Sequence, residues 1–148
     1  MSQVELREIT KETVRDILRL KVKPEQENFV APNAVSLSEA LFEEKAWYRA
    51  IYANGEPVGF LMLFDNDENA EYYLWRFMIA APYQGFGYGA EAVKLLIDYV
   101  KTRPNAKKLE LSYVPAKGGP ESFYLKQGFK NTGRVEHGEN VMELIFEE

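Results

Sequence analysis

The chain has no cysteine and a single histidine, His137. Without thiols there can be no disulfide, no thiolate metal site and no covalent acyl-cysteine intermediate. One imidazole leaves no material for a histidine-based catalytic relay or zinc site, and no metal is expected. Also missing is any run of 18 apolar residues, the length at which a helix begins to cross a bilayer. Residues 2–8 are charged and lack the apolar core of a secretory leader, so the expectation is a cytoplasmic protein with no membrane partner. No internal repeat, linker or low-complexity tract interrupts the 148 residues, which read as one domain, 1–148, long enough to bury a real core. Nor is there an excess of positive charge. Lys and Arg number 18 against 23 Asp and Glu, a formal net charge of −5, which disfavours nucleic acid as a partner and mildly favours a cationic one.

What is present is concentrated in residues 72–100. Residues 72–79, YYLWRFMI, are aromatic and aliphatic without glycine or proline and read as a strand, closed by Pro82. From Gly89 onward, Val93, Leu96, Ile97 and Val100 fall at i, i+3, i+4 and i+7, one face of a helix. Between strand and helix stands Gln84-Gly85-Phe86-Gly87-Tyr88-Gly89, followed by Ala90. Glycine permits φ > 0 and a close ligand. The first turn of a helix offers unpaired N–H groups at the positive end of the dipole. The junction is therefore expected to hold an anion, most naturally a phosphate or pyrophosphate. A dinucleotide fold would set its first glycine directly after the strand and an acidic residue about 20 positions on. Glu110 has that spacing, yet turn residues intervene before Gly85 and too little chain remains for a doubly wound sheet.

The remaining elements follow in order. Residues 4–9 alternate apolar and charged, as a half-buried strand does. Thr10 is expected to cap a helix with Val14, Ile17 and Leu18 on its face, ended by Pro24. After the polar turn 24–33, Ser36 and Glu39 have the spacing of a capping box for a short helix through Leu41 and Phe42. Residues 47–53 and 57–64 are strands joined at Asn54-Gly55, a type I′ hairpin signal. Residues 65–71, DNDENAE, read as a solvated hairpin loop, since the glycine and glutamate of a calcium loop are out of register. Beyond the central strand and helix come a strand at 108–114, a short helix at 121–127 capped by Gly128, and two strands at 129–135 and 141–146. The order is β α α β β β α β α β β, an α/β (α+β) chain with about seven strands and four helices.

The string Gln84, Gly87, Gly89 resembles the acetyl-CoA motif of the GNAT acetyltransferases, Gln/Arg-x-x-Gly-x-Gly/Ala. LWRFMI, four residues, then QGFGYG is similar to the branch holding bacterial spermine and spermidine acetyltransferases. The element order matches the family over the whole chain. This resemblance implies a central mixed, mostly antiparallel sheet and acetyl-CoA as co-substrate. It further implies a cofactor surface comprising Phe77, Met78, Ile79, Gln84, Gly85, Phe86, Gly87, Tyr88, Gly89 and Ala90. In FYLKQGF, Tyr124 takes the place of the family's general acid, which protonates the departing thiolate; packing is its alternative role. A phenol with a pKa of about 10 can supply a proton to a thiolate with a pKa of about 8.5 when held in reach. The family's asparagine seven residues earlier is Lys117 here, and its alanine is Pro120. Lys117 with Gly118 and Gly119 would supply charge and amides instead, and Lys126 would meet the nucleotide phosphates or stand solvated.

An acceptor amine with a pKa of about 10 must lose a proton before it attacks. Where many members carry a carboxylate on the central strand, this strand offers Trp75 and Arg76. Glu27 is the candidate for proton removal or cation docking, with Glu25 beside it, and Trp75 could present an aromatic face to an ammonium. An ordinary surface glutamate and a core tryptophan are the competing readings. The expected partner is a small-molecule amine of the polyamine class, attacked directly in a ternary complex, and a homodimer is compatible with the sequence. An acetylase of peptide or amino-acid amines and a non-catalytic acyl-CoA-binding module are the alternatives.

Overall fold

The structure, a computed structural model, describes residues 3–146. Strand β1 (Val4–Arg7) leads through helices α1 (Val14–Leu18) and α2 (Asn33–Ala40) into a meander of β2 (Ala46–Ala53), β3 (Glu56–Asn66) and β4 (Glu71–Ile79). Helix α3 (Tyr88–Lys101) crosses to β5 (Lys108–Tyr113), followed by α4 (Glu121–Lys126), β6 (Lys130–Glu136) and β7 (Glu139–Ile145). Short 3₁₀ turns at Pro24–Gln26 and Ala81–Tyr83 are added to the expected order. The strands form one sheet in the order β1-β2-β3-β4-β5-β7-β6. All neighbours are antiparallel except β4 and β5, and that parallel pair has the crossover helix it requires, α3. Asn54 and Gly55 have φ of 53° and 84°, the two positive angles of a type I′ turn.

Each face of the sheet carries its own core. On one, Ile51, Leu61, Leu63 and Leu74 meet Val93, Leu96 and Val100 of α3 together with Leu109, Leu111 and Phe129. The three α3 residues are fully buried, each contributing roughly 1.5–3 kcal/mol. On the other face Ile17, Tyr52, Phe60, Met62 and Met78 pack with Leu37 of α2.

Two irregularities in β4 open the sheet. Met62 pairs with Arg76 while the adjacent Leu63 pairs with Leu74, so Trp75 is the extra residue of a β-bulge. The bulge shifts the alternation: Tyr72 and Leu74 face α3, and so do Phe77 and Ile79. Trp75 and Arg76 both go to the opposite side, the first against the α1–α2 core and the second donating to Glu39 of α2 at 2.7 Å. The parallel pairing of β4 with β5 spans only Tyr73 to Glu110 and Leu74 to Leu111. Beyond Leu74 the two strands part.

Three local expectations are corrected. Thr10 does not cap α1 through its side chain; the backbone carbonyl of Thr10 accepts from Val14 at 2.9 Å, and Leu18 is half-exposed. Ser36 and Glu39 are not a capping box, because α2 begins three residues earlier, directly after Pro32. Buried Asn33 fixes that start by donating to the carbonyl of Ile17 at 2.9 Å. The helix then stops at Ala40 and leaves Leu41 and Phe42 exposed. The acidic stretch 65–71 is not loop throughout: Asp65 and Asn66 end β3, and Glu71 begins β4. Asp65 accepts from Tyr99 Oη at 2.7 Å and Arg103 Nε at 3.0 Å, pinning the end of α3 to the sheet.

Candidate functional site

Where β4 and β5 part lies a cleft of about 1090 Å³. Residues 73–79 and 112–114 form its strand walls, and the turn 26–32 and residues 118–120 lie above them. These two segments approach each other closely: a Cβ on Gly119 would stand 3.5 Å from the ring of Phe29.

The glycine turn forms one end. Gly85 and Gly87 have φ of 88° and 85°, a left-handed conformation that costs L-residues with side chains roughly 1–2 kcal/mol. Gly87 is the N-cap of α3. Gly89 is needed for a different reason. A Cβ there would sit 3.3 Å from Phe123 and 3.4 Å from Phe77, so its absence lets the helix start lie close against α4 and β4. Gly87, Tyr88, Gly89 and Ala90 line the cleft, bringing the unpaired first-turn amides of a 14-residue helix to it. An anion at this point is favoured by both amides and dipole. Gln84 also borders the cleft, but its side chain is spent on the protein. Its Nε2 donates to the carbonyl of Ile79 and to Oε1 of Gln26, both at 2.8 Å, and Gln26 Nε2 returns a bond at 3.2 Å. It is a clamp tying the glycine turn to the end of β4 and to the α1–α2 segment.

Tyr124 lies in the cleft wall, 8% exposed. Its ring packs against Phe123, Phe129 and Phe77 at centroid distances of 5.3, 5.8 and 6.4 Å. Its hydroxyl makes no hydrogen bond to another described residue. Burial raises its pKa well above the usual phenol value, so it is protonated at neutral pH, and its proton is not committed to another described residue.

The other expected site residues divide. Phe77, Met78 and Ile79 line the cleft, although the Met78 side chain is buried in the α1–α2 core and leaves the backbone to face a ligand. Trp75 and Glu27 line it too. The Glu27 carboxylate has no ion pair or hydrogen bond among the described residues. Glu25 is exposed and outside the lining, as is Phe86, which stacks on Tyr88 at 5.7 Å. Lys117 is exposed and stands outside as well, its neighbours Gly118 and Gly119 lining the cleft in its place. Lys126 borders a separate groove of about 340 Å³ with Ala90, Lys94 and Gln127, on the outer side of α3 and α4.

A polar group in the cleft was not anticipated. Tyr73 Oη is hydrogen-bonded to Ser112 Oγ, and Ser112 Oγ donates to Glu139 Oε1 at 3.2 Å; all three line the cleft. The available signal was Ser112 itself. Leu109, Leu111 and Tyr113 are buried toward α3, so the alternation of the strand sends Ser112 to the opposite face.

These features, a strand-to-helix glycine turn beside a split parallel pair, make a cleft with an anion-binding end. Residues 11–129 match the model of the acetyltransferase (GNAT) family, and the chain belongs to that family. It is 29% identical to the spermine/spermidine N(1)-acetyltransferase of Bacillus subtilis (strain 168), over 94% of this chain and 96% of that protein. The PaiA N-acetyltransferase from Thermoplasma acidophilum, solved in complex with coenzyme A, matches the structure with a TM-score of 0.72 and 16% identity, over 97% of this chain and 99% of that one. AAC(6')-Ib in complex with ribostamycin and coenzyme A matches with a TM-score of 0.78 and 18% identity, over 97% and 93% of the two chains. At these identities the structural matches establish the shared fold. Among the described residues no helix is long and apolar enough to cross a membrane.

Proposed function

We propose that this protein transfers the acetyl group of acetyl-CoA to a primary amine of a polyamine such as spermidine or spermine, by direct attack in a ternary complex. The observation that carries the reading is the cleft itself, with helix amides and positive-φ glycines at one end and the uncommitted hydroxyl of Tyr124 in its wall. Family membership supports acetyl transfer, and the Bacillus subtilis relative acts, by its name, on spermine and spermidine.

The amides of Gly87 to Ala90 bind the pyrophosphate, with Gly118 and Gly119 adding backbone contacts. Backbone N–H groups of β4 beyond Leu74, where its pairing with β5 ends, polarise the thioester carbonyl. Tyr124 protonates the leaving thiolate. Glu27, in the turn that lines the cleft, docks the cation, and Trp75 supplies an apolar and π surface in the same cleft. Holding both reactants in one cleft converts a two-body encounter into an oriented one.

The test is a steady-state assay of acetyl-CoA against polyamines, diamines, aminoglycosides, amino acids and peptides. Spermidine or spermine should give the highest kcat/KM. If only a peptide or amino-acid amine is acetylated, the polyamine assignment falls. If acetyl-CoA binds and no amine is acetylated, the binding-module alternative replaces it.

A further inference from the structure

The proposed reaction leaves one proton without a destination. An alkyl ammonium arrives carrying a proton that must leave before the nitrogen can attack, and Glu27 sits in an exposed turn where its carboxylate is held by nothing among the described residues. The cleft contains a second carboxylate in a very different setting. Glu139 begins β7 and lines the cleft, and its Oε1 accepts from Ser112 Oγ at 3.2 Å. Because an ionised carboxylate only accepts, the Ser112 proton points to Glu139. Ser112 Oγ must then accept from Tyr73 Oη. The hydrogen bonds are therefore ordered in one direction, from Tyr73 through Ser112 to Glu139, and the lone pairs of Tyr73 Oη remain free to receive a proton.

The placement fits the acceptor side. Tyr73 lies between Tyr72 and Leu74, and Ser112 between Leu111 and Tyr113, all of which face α3; strand alternation sends Tyr73 and Ser112 to the other face. Tyr73 and Leu74 also make the last parallel pairs before the strands part, so the triad stands at the closed end of the opening. Tyr124 belongs to the α3 face. The two proton-handling groups thus flank the split from opposite sides.

Resting on the acetyltransferase reading, we infer that Tyr73, Ser112 and Glu139 form a proton relay for the acceptor amine, with Glu139 as the terminal proton acceptor. The steps balance. A proton passes from the ammonium to Tyr73 Oη as the phenolic proton moves to Ser112 Oγ and the serine proton to Glu139 Oε1, leaving a neutral amine. The amine lone pair forms the C–N bond to the thioester carbon, and the C–S bond breaks. Tyr124 gives its proton to the thiolate, and the second amine proton restores Tyr124. One proton is released overall, from the partly exposed Glu139 carboxyl to solvent. Burial raises the pKa of Tyr73 above the usual phenol value, which suits a relay group that is never a standing phenolate.

The experiment is a double-mutant cycle of Glu139→Gln and Ser112→Ala, read by rapid-mixing single turnovers with spermidine and saturating acetyl-CoA, alongside steady-state KM, acetyl-CoA affinity and thermal melting. Glu139→Gln keeps an acceptor for Ser112 but removes the base. Each single variant should slow the chemical step roughly 10²-fold, within the range for losing a positioned acid or base. The double variant should be little slower than either single one, as groups acting as a unit behave. Melting, acetyl-CoA affinity and the KM for spermidine should hold. An unchanged chemical step overturns the relay, as do multiplicative effects in the double variant. A raised KM at constant rate overturns it too, by making Glu139 a docking group. An unmodified enzyme that acetylates no amine of the panel defeats the acetyltransferase reading instead, an outcome separate from all of these.

Discussion

The two sides of the split sheet are built in different ways. On the α3 side, the glycine turn and the helix carrying Tyr124 are each one short stretch of chain, packed against a continuous apolar core in which Phe77, Phe123 and Phe129 fix the Tyr124 ring. On the α1–α2 side, Glu27, Tyr73, Ser112 and Glu139 come from four distant segments; all are polar and at least partly exposed, and single hydrogen bonds tie Tyr73, Ser112 and Glu139 to one another. A rigid, locally encoded wall suits a ligand whose shape does not vary. An assembled wall can change its chemistry one strand at a time, which suits the choice of acceptor amine.

This contrast is open to attack, beginning with its strongest consequence. Tyr124→Phe should lower kcat by roughly 10²–10⁴-fold, the range for a lost general acid, with acetyl-CoA affinity unchanged by calorimetry. An unaltered chemical step would reduce Tyr124 to a packing residue. Gly87→Val forces a β-branched residue to a φ of 85°, where the backbone strain of roughly 1–2 kcal/mol falls on the N-cap of α3. Acetyl-CoA affinity should drop by about 5- to 30-fold if that strain falls on the binding conformation, while circular dichroism shows the fold retained.

Smaller effects belong to the other side. Glu27→Gln should raise the KM for spermidine several-fold at low salt and less at high salt, because an exposed carboxylate attracts a cation through screened electrostatics. An unchanged KM with unchanged salt dependence would place the acceptor elsewhere. Smallest of all, Gln84→Ala removes the clamp between the two sides. It should lower stability by about 1 kcal/mol and raise both Michaelis constants together. Alkaline titration gives a global check. Tyr124 and Tyr99 are held protonated above the ordinary phenol range, Tyr99 up to about 12 through burial and then its bond to Asp65. Their contribution to stability is fully present below about 10, the unfolded phenol value. It should be lost as pH rises beyond that, because the unfolded chain then releases protons the folded one retains.

The same contrast explains what could be read from the sequence. Gln84 to Ala90 and the segment around Tyr124 are each contiguous, so glycine spacing before a helix singled out the first and the family resemblance of FYLKQGF the second. The order of elements along the chain followed from the hairpin signal at Asn54-Gly55 and from the helix periodicity after Gly89. The bulge at Trp75 was hidden, because WRFMI is hydrophobic enough that a change of face leaves no mark in its pattern. The relay was hidden for a related reason: Ser112 and Glu139 meet only through the pairing of β5 with β7, a tertiary contact between residues 27 positions apart. Glu27 was visible as part of an acidic turn, but its companion Glu25 lies outside the cleft, since neighbouring residues of a 3₁₀ turn point in different directions. Ser36 misled because a buried Asn33 and the proline before it, not a hydroxyl, set the start of α2.

In the proposed reaction, acceptor and acyl donor occupy the split sheet together, from opposite faces. Initial velocities measured over a matrix of acetyl-CoA and spermidine concentrations test it most directly. A ternary complex predicts double-reciprocal lines that intersect, with N-acetylspermidine and free CoA formed in equal amounts. Parallel lines, or CoA released without acceptor through an acetylated enzyme, would contradict it.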